Sequence, residues 1–358
     1  AILAPMNLGG FEVLTGAQAG RGAVGASQIA RVADPSQRLV RYTLSLFPIY
    51  TGLTLVLWIS LIVAGDTALV AVCHAMSTLA TSGISPVGGM IGTNSAVAGE
   101  VLIFLFLMFA LTRRLLPGER IALNRTELSR DPEFRLGLLL VISVPLLLVL
   151  RHWIGAYEGD DVEDVAAAGS ALWGGLFTVL SFLTTTGFAS ADWDQARLWS
   201  GLATPGLILV GLAIVGGGVA TTAGGVKLLR VYALYRHGER VMERLVHPSS
   251  VGGAGVIARR LRRQGAQVAW IFFMLFAISI AVVMLALSLT GLKFETATIL
   301  TVASLSTTGP LAATAGDVPI AWGGLGDAAK GILAFAMVLG RLETLALIAL
   351  LNPDFWRS

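Results

Sequence analysis

Three short turns share a composition that could do chemistry. They read Ala80-Thr81-Ser82-Gly83-Ile84, Thr184-Thr185-Thr186-Gly187-Phe188 and Ser306-Thr307-Thr308-Gly309-Pro310. Each closes an apolar segment (68–80, 165–184 and 294–306) that reads as too short to cross a bilayer. The glycine recurs 104 residues after Gly83 and again 122 residues later. A half-helix that stops inside a membrane points its carbonyl end, with partial negative charge, at whatever lies ahead. Non-helical backbone at that depth is tolerated only where it is buried in protein or lines a water-filled cavity. Thr and Gly then allow an extended strand whose inward carbonyls replace the hydration shell of an alkali cation. The candidate ion-binding residues, acting through backbone carbonyls, are Thr81, Ser82, Gly83, Ile84, Thr185, Thr186, Gly187, Phe188, Thr307, Thr308, Gly309 and Pro310. One such turn alone reads as a loop cap; three at matched positions read as an internal repeat.

A second candidate interrupts an apolar span over 201–236. It comprises Gly216, Gly217, Gly218, Val219, Ala220, Thr221, Thr222, Ala223, Gly224 and Gly225. Each helical glycine costs about 1 kcal/mol relative to alanine, so five within ten residues oppose a continuous helix. An unwound loop beneath an ion-binding turn is a gate candidate; a helix packed closely through its glycines is the alternative. Lys227 and Arg230 follow at once and read as cytoplasmic anchors. Arg341 stands inside the last apolar span, 328–351, where an ionisable side chain faces a pore or a partner.

The elements that must carry these residues are membrane helices. Of 358 residues, 55% are hydrophobic and only 13% are charged, against about 25% charged in soluble domains. Uncharged runs cover 42–65, 198–226 and 264–292, each longer than the roughly 20 residues that span a bilayer. Shorter apolar cores lie at 101–112 and 136–150. Of 25 Lys and Arg, 19 fall in three blocks: Arg21 to Arg41, Arg113 to Arg135, and Lys227 to Arg263. Acidic residues such as Glu158, Asp160, Asp161, Asp192, Asp194 and Asp317 occupy the intervening loops. The positive-inside rule therefore places the basic blocks in the cytoplasm and the acidic loops outside. The basic runs abut spans, so they do not read as nucleic-acid sites.

Other motifs carry little. Gly20-Arg21-Gly22-Ala23-Val24-Gly25 fits a dinucleotide fingerprint but has no preceding strand or suitably spaced acid. Val226 and Leu228 spoil the phosphate-loop pattern at Gly224-Gly225-Val226-Lys227. His74, His152, His237 and His247 lack metal-ligand spacing, and Cys73 stands alone. No catalytic constellation is evident, so the chain reads as a non-enzyme without a cofactor.

The three turns, the stretch Gly216 to Arg230, the segment Arg244-Leu245-Val246-His247-Pro248, and Gly340-Arg341-Leu342-Glu343 through Phe355-Trp356-Arg357 together resemble TrkH-type bacterial potassium-uptake subunits. That resemblance implies an all-α integral membrane fold of helix–pore-helix–filter-strand–helix units around a pseudo-fourfold pore. Along this chain it implies the tail of a first repeat (1–14), a cytoplasmic linker (15–40), a second repeat (41–115), a linker (116–133), a third repeat with a broken second helix (134–240), a linker (241–263), a fourth repeat (264–352) and a cytoplasmic tail (353–358). It makes Gly83, Gly187 and Gly309 filter glycines, 216–225 an intramembrane gating loop, and Arg341 an arginine projecting into the permeation path. K+ is the implied cargo, held at filter carbonyls. The implied setting is the bacterial inner membrane, crossed several times, with a homodimer and a cytosolic nucleotide-binding regulatory subunit of TrkA type as partners. The first repeat's filter lies outside these 358 residues. Three strands do not close a four-sided ring, so this length by itself is not expected to conduct. Gly at the three remaining positions agrees with K+. A secondary transporter for another solute predicts inverted repeats, whereas the three units run in one orientation. A non-conducting assembly subunit is the other alternative.

Overall fold

The computed structural model describes residues 35–111, 131–155, 165–202, 204–219, 221–247, 266–316 and 318–342. The expectations for 1–14, most of the basic linkers, the acidic run from Glu158 to Asp164, Ala220, Glu343 and the tail 353–358 lie outside those residues.

Among the described residues there is no β-ladder, and the chain is a succession of helices. Helix α1 (Pro35–Val63) precedes the short α2 (Ala68–Ala80) and then α3 (Ala96–Leu107), which ends in a 3-10 turn at Met108–Ala110. Helix α4 (Pro132–Gly155) precedes α5 (Val165–Leu183), α6 (Trp193–Ser200) and α7 (Gly206–Val215). Helix α8 (Leu228–Val246) resumes after the glycine stretch. Helices α9 (Ala266–Leu289), α10 (Phe294–Leu305), α11 (Leu311–Thr314) and α12 (Asp327–Leu342) complete the order.

Among the described residues, three helices are long and apolar enough to cross a membrane: α1 over Leu46–Val63, α4 over Pro132–Arg151 and α9 over Ala266–Leu289. Their outward flanks stay bare. Val63 is 82% exposed, and Ile59, Ile278, Val282 and Leu285 are all exposed. Each such side chain would gain about 1.5–3 kcal/mol by leaving water, so these faces need lipid. Pro48 and Pro145 lie inside α1 and α4, a placement that membrane helices accept where neighbours satisfy the freed backbone.

Each short helix is packed among neighbouring helices. Helix α2 packs on α1 and α3, α5 on α4, α6 and α7, and α10 on α9 and α12. Length alone does not single out α5. Its 19 residues would extend about 28 Å at 1.5 Å per residue, nearly a crossing. Burial singles it out instead: Phe177, Leu180, Phe182 and Leu183 are wholly enclosed. Helix α6 was also not anticipated. It is a short amphipathic helix that buries Trp193 and Ala196 and carries Asp194 and Arg197 in its first and last turns.

Buried carboxylates join the units. Asp66 accepts from the Asn94 and Ser95 amides at 3.1 and 3.0 Å and from the Ser95 hydroxyl at 3.0 Å, which fixes the start of α3. Glu100 on α3 accepts from Trp173 Nε1 (2.9 Å), the Ser190 hydroxyl (2.8 Å) and the Ala191 amide (2.7 Å). That carboxylate holds α5 and the segment behind its turn against α3. Glu100→Ala strands three donors and is expected to cost about 3 kcal/mol or more, since each buried unpaired donor costs about 1–3 kcal/mol. A lowered thermal midpoint of the purified protein in detergent, with Glu100→Gln less affected, is the measurement that checks it.

Candidate functional site

The three turns are built alike. At each helix end a threonine adopts positive φ: Thr81 at 48°, Thr185 at 58° and Thr307 at 55°. A β-branched residue in that region is a true outlier, and glycine is the usual choice there. The next amide reaches back into the helix each time: Ser82 to the Ser77 carbonyl (2.9 Å), Thr186 to Ser181 (2.9 Å) and Thr308 to Ala303 (2.8 Å). These bonds satisfy carbonyls that a helix end leaves open. Strained backbone of this kind persists only where the surroundings over-determine it. Three equivalent threonines in it mark one device used three times.

The turns also meet. A Cβ at Gly83 (φ +67°) would lie 2.1 Å from the Thr186 carbonyl oxygen and 2.9 Å from Pro310 Cγ. A Cβ at Gly187 (φ +90°) would lie 3.0 Å from Pro310 Cδ and 3.1 Å from Thr308 Cγ2. The two glycines thus admit the close approach of all three turns. Gly309 differs: it is not among the positive-φ residues, and a Cβ there meets open space. Phe188 is buried, whereas Ile84 is 69% exposed. His74 supports the first turn from behind. Its Nε2 is 2.8 Å from Ser85 Oγ, and its ring meets Phe188 edge-on at 5.4 Å.

The glycine stretch leaves the helical path at Gly216 (φ 74°) and returns at Lys227 (φ 85°). Its two ends are pinched together. Val226 N donates to Ile214 O (2.9 Å), Lys227 N to Val215 O (2.8 Å) and Leu228 N to Gly217 O (2.9 Å). Between them the loop reaches the threonines of the turns. Thr81 Oγ1 donates to Thr222 Oγ1 at 3.0 Å, and the Gly224 amide donates to Thr185 Oγ1 at 2.6 Å. Gly224 also lies against the third turn, where a Cβ would meet Ser306 O at 2.0 Å and Thr307 Oγ1 at 3.1 Å. The other side of the loop is held by the Gly218 amide on Ala110 O (3.0 Å) and the Val219 amide on Glu133 Oε1 (2.8 Å).

Arg341 on α12 reaches this loop. One guanidinium nitrogen donates to the Thr222 carbonyl at 3.0 Å. The reading of Lys227 and Arg230 as cytoplasmic anchors needs correction, because both are buried. Lys227 Nζ donates to Ala223 O within the loop. Arg230 donates to Val226 O at 3.3 Å and stacks 3.8 Å over the Phe272 ring of α9. The two cations therefore brace the loop from its own exit. Among the described residues, no cluster of His, Cys, Asp and Glu could hold a metal ion.

Sequence reasoning passed over His74, Glu100 and Glu133 as parts of this assembly. The available signal was position: Glu100 and Glu133 stand near the starts of apolar spans, where a carboxylate needs a reason.

The glycine geometry makes an asymmetric prediction. Gly83→Ala and Gly187→Ala force backbone apart and should sharply reduce the yield of monodisperse protein. Gly309→Ala has room and should stay within about 0.5 kcal/mol of the parent. Gel filtration and thermal melts of the three variants check it.

Comparison with known proteins gives the same family from three directions. The family model for TrkH, described as a cation transport protein, matches residues 18–356. The Trk system potassium uptake protein TrkH of Vibrio parahaemolyticus is 30% identical over 354 residues, spanning 94% of this chain and 68% of that protein. The protein of the same name from Escherichia coli K12 is 30% identical over 348 residues, with the same coverage of each chain. The crystal structure of the potassium transporter TrkH from Vibrio parahaemolyticus superimposes with a TM-score of 0.72 at 28% identity, over 99% of this chain and 72% of that one. A likeness running through nearly every described helix, the three turns and the broken helix leaves one assignment: the chain belongs to the TrkH family of cation transport proteins.

Proposed function

We propose that this protein carries K+ inward across the bacterial inner membrane, through a filter of backbone carbonyls closed from the cytoplasmic side by the loop 216–225. The observation that carries the reading is the meeting of three equivalent threonine turns with one glycine loop docked on their threonines. The relatives' naming as potassium uptake proteins supports the choice of ion. In this reading Thr81–Ile84, Thr185–Phe188 and Thr307–Pro310 present carbonyls that replace water around the dehydrated ion. Uptake is driven by the inside-negative potential, worth about 2.3 kcal/mol per charge for each 100 mV or so.

The loop is the closed gate. To leave, it gives up the bonds of Thr222 to Thr81, to Leu79 O (3.1 Å) and to Arg341, and that of Gly224 to Thr185. At about 0.5–1.5 kcal/mol net for each hydrogen bond, release costs about 2–6 kcal/mol. Differential binding of a regulator can supply that much, since about 5.5 kcal/mol inverts a 1:99 equilibrium. A homodimer with a cytosolic nucleotide-binding subunit of TrkA type belongs to the same proposal, acting from the basic cytoplasmic side. Arg341 acts twice: its charge raises the barrier to a cation below the filter, and its bond keeps the loop in place.

The native full-length protein, produced in a bacterium lacking its own K+ uptake, is expected to restore growth on low potassium. Failure by a well-expressed, membrane-inserted protein overturns the reading. Arg341→Ala is expected to raise the initial rate of rubidium uptake about tenfold, as removal of about 1.4 kcal/mol of barrier would; an unchanged rate removes Arg341 from the path. Deleting Thr221–Gly224 should abolish regulator-dependent control, and control that survives intact sinks the gate assignment.

A further inference from the structure

Three residues stand nine positions before the turn glycines: His74, Thr178 and Leu300. All three are wholly buried. Two of them bond the strand that leaves their own turn. Thr178 Oγ1 accepts from the Ser190 amide at 3.1 Å, and His74 Nε2 lies 2.8 Å from Ser85 Oγ. The second bond carries more, because no backbone–backbone hydrogen bond holds 83–89 among the described residues. The hydrogen bonds of that strand run through Ser85. Its hydroxyl donates to Gly89 O at 3.4 Å and accepts from the Val87 amide at 3.3 Å. A hydroxyl has one proton and two acceptor sites, so the site that remains takes His74 Nε2–H without competition. The imidazole also meets Phe188, the residue after Gly187, edge-on at 5.4 Å, within the range of favourable aromatic pairs. One side chain on α2 thus touches the outgoing strands of two turns. Packing alone does not ask for it. Leu300 fills the equivalent place with an apolar side chain, and His74 Nδ1 is buried without a hydrogen-bond partner, a cost that leucine avoids.

We propose that His74 is a positioning residue that sets ion selectivity by fixing the first filter strand against the second. The inference rests on the reading of the turns as a filter of backbone carbonyls. Selectivity in such a filter follows from the number and field strength of the carbonyls around the ion. Gly83 and Ile84 carry theirs on the stretch between α2 and Ser85. Pinned at Ser85, that stretch keeps its spacing from Gly187 and Phe188. Released, it can close on a smaller ion. His74 acts through Ser85 and Phe188, without contact with the ion.

The test is the ratio of rubidium to sodium uptake, measured as initial rates in a bacterium lacking its own K+ uptake. It uses the native full-length protein, with variants matched for membrane abundance. A folding defect lowers both rates together and leaves their ratio alone. His74→Leu and Ser85→Ala are each expected to lower the ratio about three- to tenfold, the effect of losing one net hydrogen bond. The double variant falls no further than the larger single effect. His74→Gln, whose amide nitrogen can donate in place of Nε2, recovers most of the ratio. Ser85 is half-buried, so Ser85→Ala decides alone should His74→Leu not reach the membrane. A parental ratio in Ser85→Ala, effects of the two substitutions that multiply, or a His74→Gln ratio as low as that of His74→Leu overturns the assignment. A parent that carries rubidium and sodium alike overturns the filter reading itself, whereas a selective parent with indifferent variants overturns His74 alone.

Discussion

Backbone that leaves a helix inside a membrane finds no water to bond, so protein must supply its partners. The arrangement of this molecule follows from meeting that demand at four places, the three turns and the loop between α7 and α8. The turns meet part of it by folding back on their own helices, at the cost of a threonine in a left-handed conformation each time. The loop meets it by taking partners from outside itself: a carboxylate on α4, a carbonyl behind α3, a hydroxyl on the turn after α5 and a guanidinium on α12. The helices surround the loop because its polar groups need them there.

The three turns are alike in mechanism and unlike in surroundings. The second is enclosed on all sides, and its Thr184 and Thr186 hydroxyls lie 3.2 Å apart. The third ends in Pro310, whose ring fills the space that glycines leave at the other two. The first has an exposed flank at Ile84 and a histidine bracing it from behind. One backbone solution has thus been fitted into three different packing environments, with proline and glycine as the complementary pieces.

Much of this was legible in the sequence for a local reason. Thr-Ser-Gly, Thr-Thr-Gly and a run of glycines act on the backbone where they stand, so the helix ends near 80, 183 and 305 and the break after Val215 follow from nearby residues. The roles of Lys227 and Arg230 were not legible. A cation just past an apolar span ordinarily snorkels to the interface, and nothing near Arg230 in the chain announces Phe272 on another helix. Tyr50 was hidden likewise, since its partner is the Leu79 backbone carbonyl on α2. Helix α5 was read as too short to cross although its length is nearly that of a span; its burial among α4, α6 and α7 agrees with that reading better than its length does.

The pinch at the base of the loop has a mechanical meaning. Three backbone bonds tie the end of α7 to the start of α8, so tension along that path is borne by the tie, and the loop hangs beside it unstretched. The same tie sets the path between α7 and α8 by bonds that do not involve the loop's contacts with the turns. Strain carried along the chain from α7 to α8 thus has a route that bypasses most of the loop.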